Sequence, residues 1–311
     1  MIIKNIKRMC FKMKREIILH MLQWNLNDII KELPTIKDCG YTSIQISPVQ
    51  KCKDGDEWWC LYQPLGFTIG NIYGSKEDLI NLCKEAKKYD IKIIVDIVLR
   101  HTANEGGGSL QLVPHHEVDK EILDMREWFF TNAKNSDNNY ATRDQACYRA
   151  CGLPMLSYFN WDLQNIMIRF LDELVKCGVQ GFRLDQYKHY ALPHEGCDFI
   201  DRVFMKYKIK GLFLYGEVLE YSKEMLDQFT QYMNVITDGL PSDKSKAVIF
   251  VNSHDTDLSF HITERMSEDL LLDEWEYLLK TNKESHVIWF CRRFKDTWKS
   301  ERIKNINKTY R

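Results

Sequence analysis

The chain has 311 residues, of which 43 are lysine or arginine and 44 are aspartate or glutamate, so its formal net charge is −1. This balance excludes an overall electrostatic attraction to nucleic acid or to an anionic membrane, and we interpret the basic residues near both ends as solvated surface. Hydrophobic residues make up 44% of the chain, which is enough for one large core, and the length fits one α/β barrel with an insertion.

Segments that would place the chain in or across a membrane are not evident in the sequence. The sequence contains no run of about 18 apolar residues that could span a bilayer, and the apolar run at residues 17–19 is too short for a secretion signal.

The ten cysteines form no regular framework, which predicts reduced thiols and a cytoplasmic location. Cys52 with Cys60 and Cys147 with Cys151 lack the paired short spacing of a zinc site.

Apolar, strand-like runs alternate with helical patterns along the chain, as expected for a parallel β/α protein. The runs predicted as strands are residues 17–22, 43–47, 91–99, 181–184, 212–215, 235–237, 248–251 and 287–291. The patterns predicted as helices include residues 75–89, 162–176, 267–279 and 295–308. Eight strands in this arrangement predict a (β/α)8 TIM barrel.

Residues 102–156 interrupt the alternation of strands and helices. This segment carries a glycine run at residues 106–108 and the histidine pair His115 and His116. We predict that it forms a small subdomain inserted after the third strand, and that residues 1–101 and 157–311 form the barrel. The histidine pair by itself is typical of a solvated loop.

Three carboxylates follow predicted strands closely. They are Asp185, Glu217 and Asp255, and the last of them has His254 beside it. Parallel barrels place catalytic groups at the C-terminal ends of their strands. Glycoside hydrolysis needs two carboxyl groups across one bond, so the three residues together suggest that chemistry.

The pair Arg183 and Asp185 has two interpretations from spacing alone. Alternate residues of a strand share a face, so the two side chains point the same way. They could form a structural salt bridge, or the guanidinium could hold an ionised nucleophile at low pKa. Glu217 and Asp255 are equally ambiguous when each is taken alone, and it is their joint occurrence in order that favours a catalytic site.

Five segments in order resemble the alpha-amylase family of glycoside hydrolases, closest to its animal and bacterial alpha-amylases. The segments are residues 47–64 (with Trp58, Trp59, Tyr62 and Pro64), 96–101, 181–189, 216–217 and 253–255. The likeness extends from about Ile17 to about Arg292. It implies a barrel that acts on α-glucans by a retaining mechanism.

The resemblance also implies roles for individual residues. Asp185 would be the nucleophile, Glu217 the general acid and base, and Asp255 would hold ring hydroxyls in the distorted sugar. Arg183 would keep Asp185 ionised. The other residues implied to contact substrate are Tyr62, which would stack on the sugar, and Trp58, Trp59, His101, Lys188, His189 and His254.

Two features depart from the family pattern. Arg100 stands where the family has an asparagine that binds calcium, and a guanidinium has no lone pair to offer a cation. We therefore predict no cofactor, and we expect Arg100 to replace the ion by pairing with a carboxylate such as Asp144 or Asp162. The second departure concerns the C-terminal β-sandwich of the family, which we do not expect to find after the eighth strand.

The predicted function is hydrolysis of internal α-1,4 bonds in starch, glycogen or maltooligosaccharides by a monomeric enzyme whose partner is its α-glucan substrate. Two alternatives stay open from the sequence. One is α-glucan transglycosylation, in which a sugar rather than water accepts the intermediate. The other is a degenerate α-glucan-binding protein without catalysis.

Overall fold

The structure is a computed structural model that describes residues 14–106, 112–131, 141–149, 152–259, 261, 266–292 and 294–311. Two residues of the predicted glycine run, Gly107 and Gly108, lie outside the described residues, as do Cys151 and most of the basic N-terminal stretch.

Eight parallel strands close into a barrel. The strands of the described chain are β1 (Ile17–Met21), β2 (Ser43–Ile46), β3 (Gln50–Cys52), β4 (Pro64–Ile69), β5 (Lys92–Ile97), β6 (Gly181–Leu184), β7 (Phe213–Glu217), β8 (Asn234–Ile236), β9 (Ala247–Phe250) and β10 (His286–Phe290). The order around the barrel is β1-β10-β9-β8-β7-β6-β5-β2. The predicted TIM barrel is confirmed, and each of its strands overlaps a predicted run.

β3 and β4 form an antiparallel hairpin that the sequence analysis did not predict. β3 has only three residues, and its central residue is exposed, so it offers too little apolar alternation to be recognised. The hairpin lies outside the barrel and carries the loop of Trp58 and Tyr62 between its strands.

Helices connect the barrel strands. They are α1 (Leu26–Asp38), α2 (Lys76–Lys88), α3 (Lys120–Leu123), α4 (Arg126–Phe129), α5 (Arg143–Tyr148), α6 (Trp161–Lys176), α7 (Phe199–Ile209), α8 (Lys223–Phe229), α9 (Glu268–Thr281) and α10 (Glu301–Tyr310). The predicted start of α2 is confirmed, because Ser75 and Asp78 form a reciprocal capping box. Ser267 likewise accepts a hydrogen bond from the Leu270 backbone at the start of α9.

The core has two layers separated by the barrel wall. The interior is filled by side chains from several strands, among them Ile18, Ile94, Phe213, Val248 and Ile288. The outer face of the wall packs against the apolar sides of the helices in a second, larger cluster. Because the interior is packed, polar groups converge at the ends of the strands rather than in a central pore.

The two ends of the described chain meet and close the barrel. Arg15, just before β1, donates hydrogen bonds to the carbonyl oxygens of Leu279, Asn282, Ser285 and Tyr310. After β10 the described residues 294–311 form a short helical turn and α10, with no further strand among them. None of the helices in the described part of the chain is long and apolar enough to cross a bilayer.

The segment between β5 and α6 contains the short helices α3, α4 and α5 and three isolated antiparallel bridges, His101–Met155, Asn104–Pro114 and Phe130–Leu156. The boundaries predicted for the inserted subdomain, at residues 102 and 156, stay a prediction.

Candidate active site

A buried arginine lies at the centre of three carboxylates at or near the C-terminal ends of β5, β6 and β7. Arg183 Nη1 contacts Asp185 Oδ1 at 2.7 Å and Asp96 Oδ1 at 2.9 Å. Its Nη2 contacts Glu217 Oε1 at 2.8 Å. Arg183 and Asp96 are almost completely buried, so these pairs are shielded from solvent. The arrangement brings two of the predicted catalytic carboxylates onto one guanidinium.

The backbone just after Asp185 also positions Glu217. Gln186 has a left-handed conformation, with φ of 52°, and its backbone N–H donates a 3.1 Å hydrogen bond to Glu217 Oε2. Gly216 allows this close approach of neighbouring strands, because a Cβ added there would lie 2.4 Å from the Tyr187 ring. Any larger residue at position 216 would displace the turn that holds Gln186.

Shared charge changes the expected ionisation of the site. Burial raises the pKa of Asp185 well above its usual range, and although Arg183 opposes this shift, Glu217 and Asp96 add to it. Burial also raises the pKa of Asp255. Arg183 lowers the pKa of Asp185 as expected, but its guanidinium is divided among three carboxyl groups and does not outweigh burial. The cluster as a whole favours retention of a proton.

Aromatic side chains form one wall beside the carboxylates. The rings of Tyr62 and His254 are stacked, with centroids 5.2 Å apart and planes 2° from parallel, and Trp58 meets each of them edge-on. Burial lowers the pKa of His254 to about 4, so its ring is neutral near pH 7. Its Nε2 lies 3.5 Å from Asp255 Oδ2.

The other predicted histidines are fixed by backbone carbonyl groups. His101 Nε2 lies 2.8 Å from the Tyr62 carbonyl oxygen, and His189 Nδ1 lies 3.1 Å from that of Ala146. Burial lowers the pKa of His189 to about 3, which leaves it neutral near pH 7. Both rings are held in place before any substrate arrives.

These groups surround an open cleft of about 760 Å³. Every predicted site residue except Arg183 lines it, and Arg183 lies beneath its floor. The lining residues that the sequence analysis missed are Gln63, Leu153, Gln186, Leu219, Glu220 and Tyr221. Most of them follow the ends of predicted strands, but no residue pattern separates them from ordinary loop residues.

Arg100 lies in surroundings that do not suit a calcium ion. The side chain is fully buried, its Nη2 donates a 3.2 Å hydrogen bond to the Ala146 carbonyl oxygen, and its guanidinium lies 5.1 Å from the centroid of the Tyr158 ring. Asp144, a predicted partner, instead pairs with Arg149 at 3.1 Å. A fixed positive charge without acceptor atoms does not fit a cation at this position.

Known proteins resemble this chain in sequence and in fold. A family profile described as the alpha-amylase catalytic domain matches residues 22–267. An alpha-amylase of Clostridium acetobutylicum is 34% identical over 236 residues, which cover 71% of this chain and 30% of that protein. An alpha-amylase of Butyrivibrio fibrisolvens is 27% identical over 252 residues, covering 71% of this chain and 25% of that protein. The chain thus spans less than a third of the length of either relative.

Solved structures share the fold. The alpha-amylase of Geobacillus thermoleovorans complexed with acarbose superimposes with a TM-score of 0.71 at 18% identity, covering 95% of this chain and 77% of that one. A cyclomaltodextrin glucanotransferase with a three-domain organisation superimposes with a TM-score of 0.74 at 16% identity. The superposition covers 96% of this chain and 80% of that one.

Proposed function

Because the chain belongs to the alpha-amylase family of glycoside hydrolases, we propose that it cleaves internal α-1,4 bonds of starch, glycogen or maltooligosaccharides with retention of configuration. One observation carries this proposal. Asp185 and Glu217 share the Arg183 guanidinium at the floor of an open cleft. Two carboxyl groups held side by side suit the short separation that a retaining mechanism requires.

In the first step Asp185 attacks the anomeric carbon and forms a glycosyl-enzyme, while Glu217 gives its proton to the departing glycosidic oxygen. In the second step Glu217 removes a proton from water, which attacks the same carbon and releases Asp185. Arg183 supports both steps, because its fixed charge stabilises whichever carboxyl group is ionised.

The first step needs a proton on Glu217, because the departing glycosidic oxygen takes it from that residue. Asp255 lines the same cleft and would accept hydrogen bonds from the sugar hydroxyls.

The walls of the cleft suit a glucan chain. Tyr62 and Trp58 present aromatic surface next to the carboxylates, and Trp59, which is 42% exposed, extends that surface towards solvent. Aromatic faces pack well against the apolar faces of pyranose rings. Lys188 and His189 line the same cleft and would meet the leaving-group side of the chain.

We further propose that this site works without calcium. Arg100 supplies a buried positive charge where the family has a calcium ligand, and it binds the carbonyl oxygen of Ala146 in the inserted segment. Its stacking on Tyr158 fixes the guanidinium in place. The arginine would therefore join the insertion to the barrel, as a metal ion does elsewhere.

The test is release of reducing ends from soluble starch by the native chain and by Asp185→Asn, with Asp269→Asn on the exposed side of α9 as the matched control. We expect activity in the native chain and the control and background release from Asp185→Asn. Proton NMR of the first product should show the α-anomer. Products longer than the substrate would instead assign transglycosylation, and glucan binding with no turnover by the native chain would assign a non-catalytic binding protein.

A further inference from the structure

A cluster of metal-ligating side chains lies on the inserted segment, among residues that do not line the cleft. We propose that Glu105, His115 and His116 bind one zinc-class divalent cation. One ligand atom from each residue lies within 4.8 Å of the other two. His116 Nδ1 is 2.9 Å from Glu105 Oε2, and the two imidazole rings are stacked with centroids 4.4 Å apart.

The backbone holds these three residues together. Asn104 and Pro114 form an antiparallel bridge, and the Glu105 N–H donates a 2.8 Å hydrogen bond to the Val113 carbonyl oxygen. The His116 N–H donates to Glu105 Oε2 at 2.6 Å. The glutamate and the histidine pair therefore face each other across a paired segment, which reduces the entropy lost when a metal is bound.

The chemistry of the donors selects the kind of metal. Two imidazoles and one carboxylate form a ligand set that zinc and its neighbours in the transition series accept, whereas calcium and magnesium prefer oxygen ligands alone. The side chains of His116 and Glu105 are 72% and 43% exposed. The fourth position of a tetrahedral site would consequently be open to water.

A second carboxylate stands behind the cluster. Glu117 Oε2 lies 3.9 Å from His115 Nδ1. The Glu117 backbone N–H donates a 3.3 Å hydrogen bond to His115 Nδ1, so this nitrogen is an acceptor and has no proton to give to the Glu117 carboxylate. The Glu117 side chain therefore acts as a nearby negative charge that favours a cation at the cluster.

Metal binding here would also brace one rim of the cleft. The Asn104 N–H donates to Gln63 Oε1 at 3.3 Å, and Gln63 lines the cleft. The Ala103 N–H donates to the Pro64 carbonyl oxygen at 2.8 Å. Zinc would therefore stabilise the inserted segment against the β3–β4 hairpin, and the melting temperature should rise with zinc concentration.

The experiment is calorimetric titration of zinc chloride into the metal-stripped full chain, together with the visible absorption spectrum of the cobalt complex. The variants are His116→Ala, Glu105→Gln and Glu117→Gln, with His194→Ala as the matched control because His194 is an exposed histidine outside the cluster. We expect one zinc per chain in the native protein and the control. Both ligand variants should lose that site, and Glu117→Gln, which removes only a nearby surface charge, should weaken it by about 2- to 5-fold.

Two outcomes would overturn the proposal. One is absence of saturable zinc binding to the native chain at micromolar concentrations. The other is unchanged binding in His116→Ala and Glu105→Gln, which would place the metal elsewhere, for example on thiols. Because the substituted side chains are exposed, these variants should fold, and their circular dichroism spectra should match that of the native chain. Each result is independent of starch hydrolysis.

Discussion

The phenol oxygen of Tyr62 donates a 2.8 Å hydrogen bond to Asp96 Oδ2. Asp96 also accepts hydrogen bonds from Arg183, which binds Asp185 and Glu217. One continuous network therefore joins the aromatic wall of the cleft to its carboxylates. Burial raises the pKa of Tyr62 well above its usual range, so the phenol keeps the proton that it donates.

Replacing Tyr62 with phenylalanine keeps the ring but removes the donor to Asp96. The buried carboxylate then loses a hydrogen bond, and the free energy of unfolding should fall by about 1–3 kcal/mol. The starch-hydrolysis rate should fall as well, because Asp96 would draw more of the Arg183 charge away from Asp185. Urea denaturation and initial rates measure the two effects. Tyr310→Phe, which removes a partly buried hydrogen bond to Glu276 away from the cleft, is the control and should leave the hydrolysis rate unchanged.

The substitution Glu217→Gln tests the assignment of the general acid. Hydrolysis of maltooligosaccharides should slow by about 10²–10⁴-fold, because the departing sugar needs a proton. The fluoride of a glycosyl fluoride departs without protonation, so the formation of the glycosyl-enzyme from such substrates should be much less affected by the substitution. An equal loss on both kinds of substrate would contradict the role of Glu217 as the acid. Glu276→Gln on α9 serves as the matched control.

Arg100→Met keeps much of the length of the side chain but removes the charge. The Ala146 carbonyl oxygen loses a hydrogen-bond donor, and Tyr158 loses its stacked guanidinium. The free energy of unfolding should therefore fall by about 1–3 kcal/mol. Thermal melts of the native chain should be the same with and without added calcium. A melting temperature that falls on chelation and recovers with calcium alone would contradict calcium independence. Arg149→Met, at an exposed ion pair, is the control.

The pH dependence of stability should carry a contribution from His286, at the start of β10. Burial lowers the pKa of His286 to about 4, and its Nδ1 accepts a 2.9 Å hydrogen bond from the Glu16 N–H. As the pH falls, His286 takes up a proton near pH 6.5 in the unfolded chain but only near pH 4 in the folded chain. The free energy of unfolding that this histidine contributes therefore decreases as the pH falls. Between pH 7 and pH 5 the loss should be about 2 kcal/mol.

Urea denaturation at the two pH values measures this contribution, with His286→Asn as the variant. Asparagine can accept the Glu16 hydrogen bond but cannot take up a proton, so its stability should depend less on pH in this range. Carboxyl groups with raised pKa values, Asp185 and Asp255, act in the opposite direction. Comparing variant with native chain removes their contribution. An unchanged slope in His286→Asn would contradict the assignment.

Local patterns predicted much of this architecture. Most residues of the barrel strands are apolar, because strands covered on both sides bury nearly all their side chains. The capping box at Ser75 and the position of Asp185 directly after β6 are likewise local features. The β3–β4 hairpin was missed, because its pairing depends on contacts between short segments rather than on a repeated pattern.

The order and residue types of the sequence alone determined the alternation of strands and helices and the presence of Asp185, Glu217 and Asp255 after three of the strands. Only the tertiary structure decided how the charge is shared: Arg183 serves Asp96, Asp185 and Glu217 together, and Arg100 meets Ala146 and Tyr158 rather than the predicted Asp144. Strand periodicity is a property of neighbouring residues, whereas a pKa depends on burial and on charges brought close from distant parts of the chain.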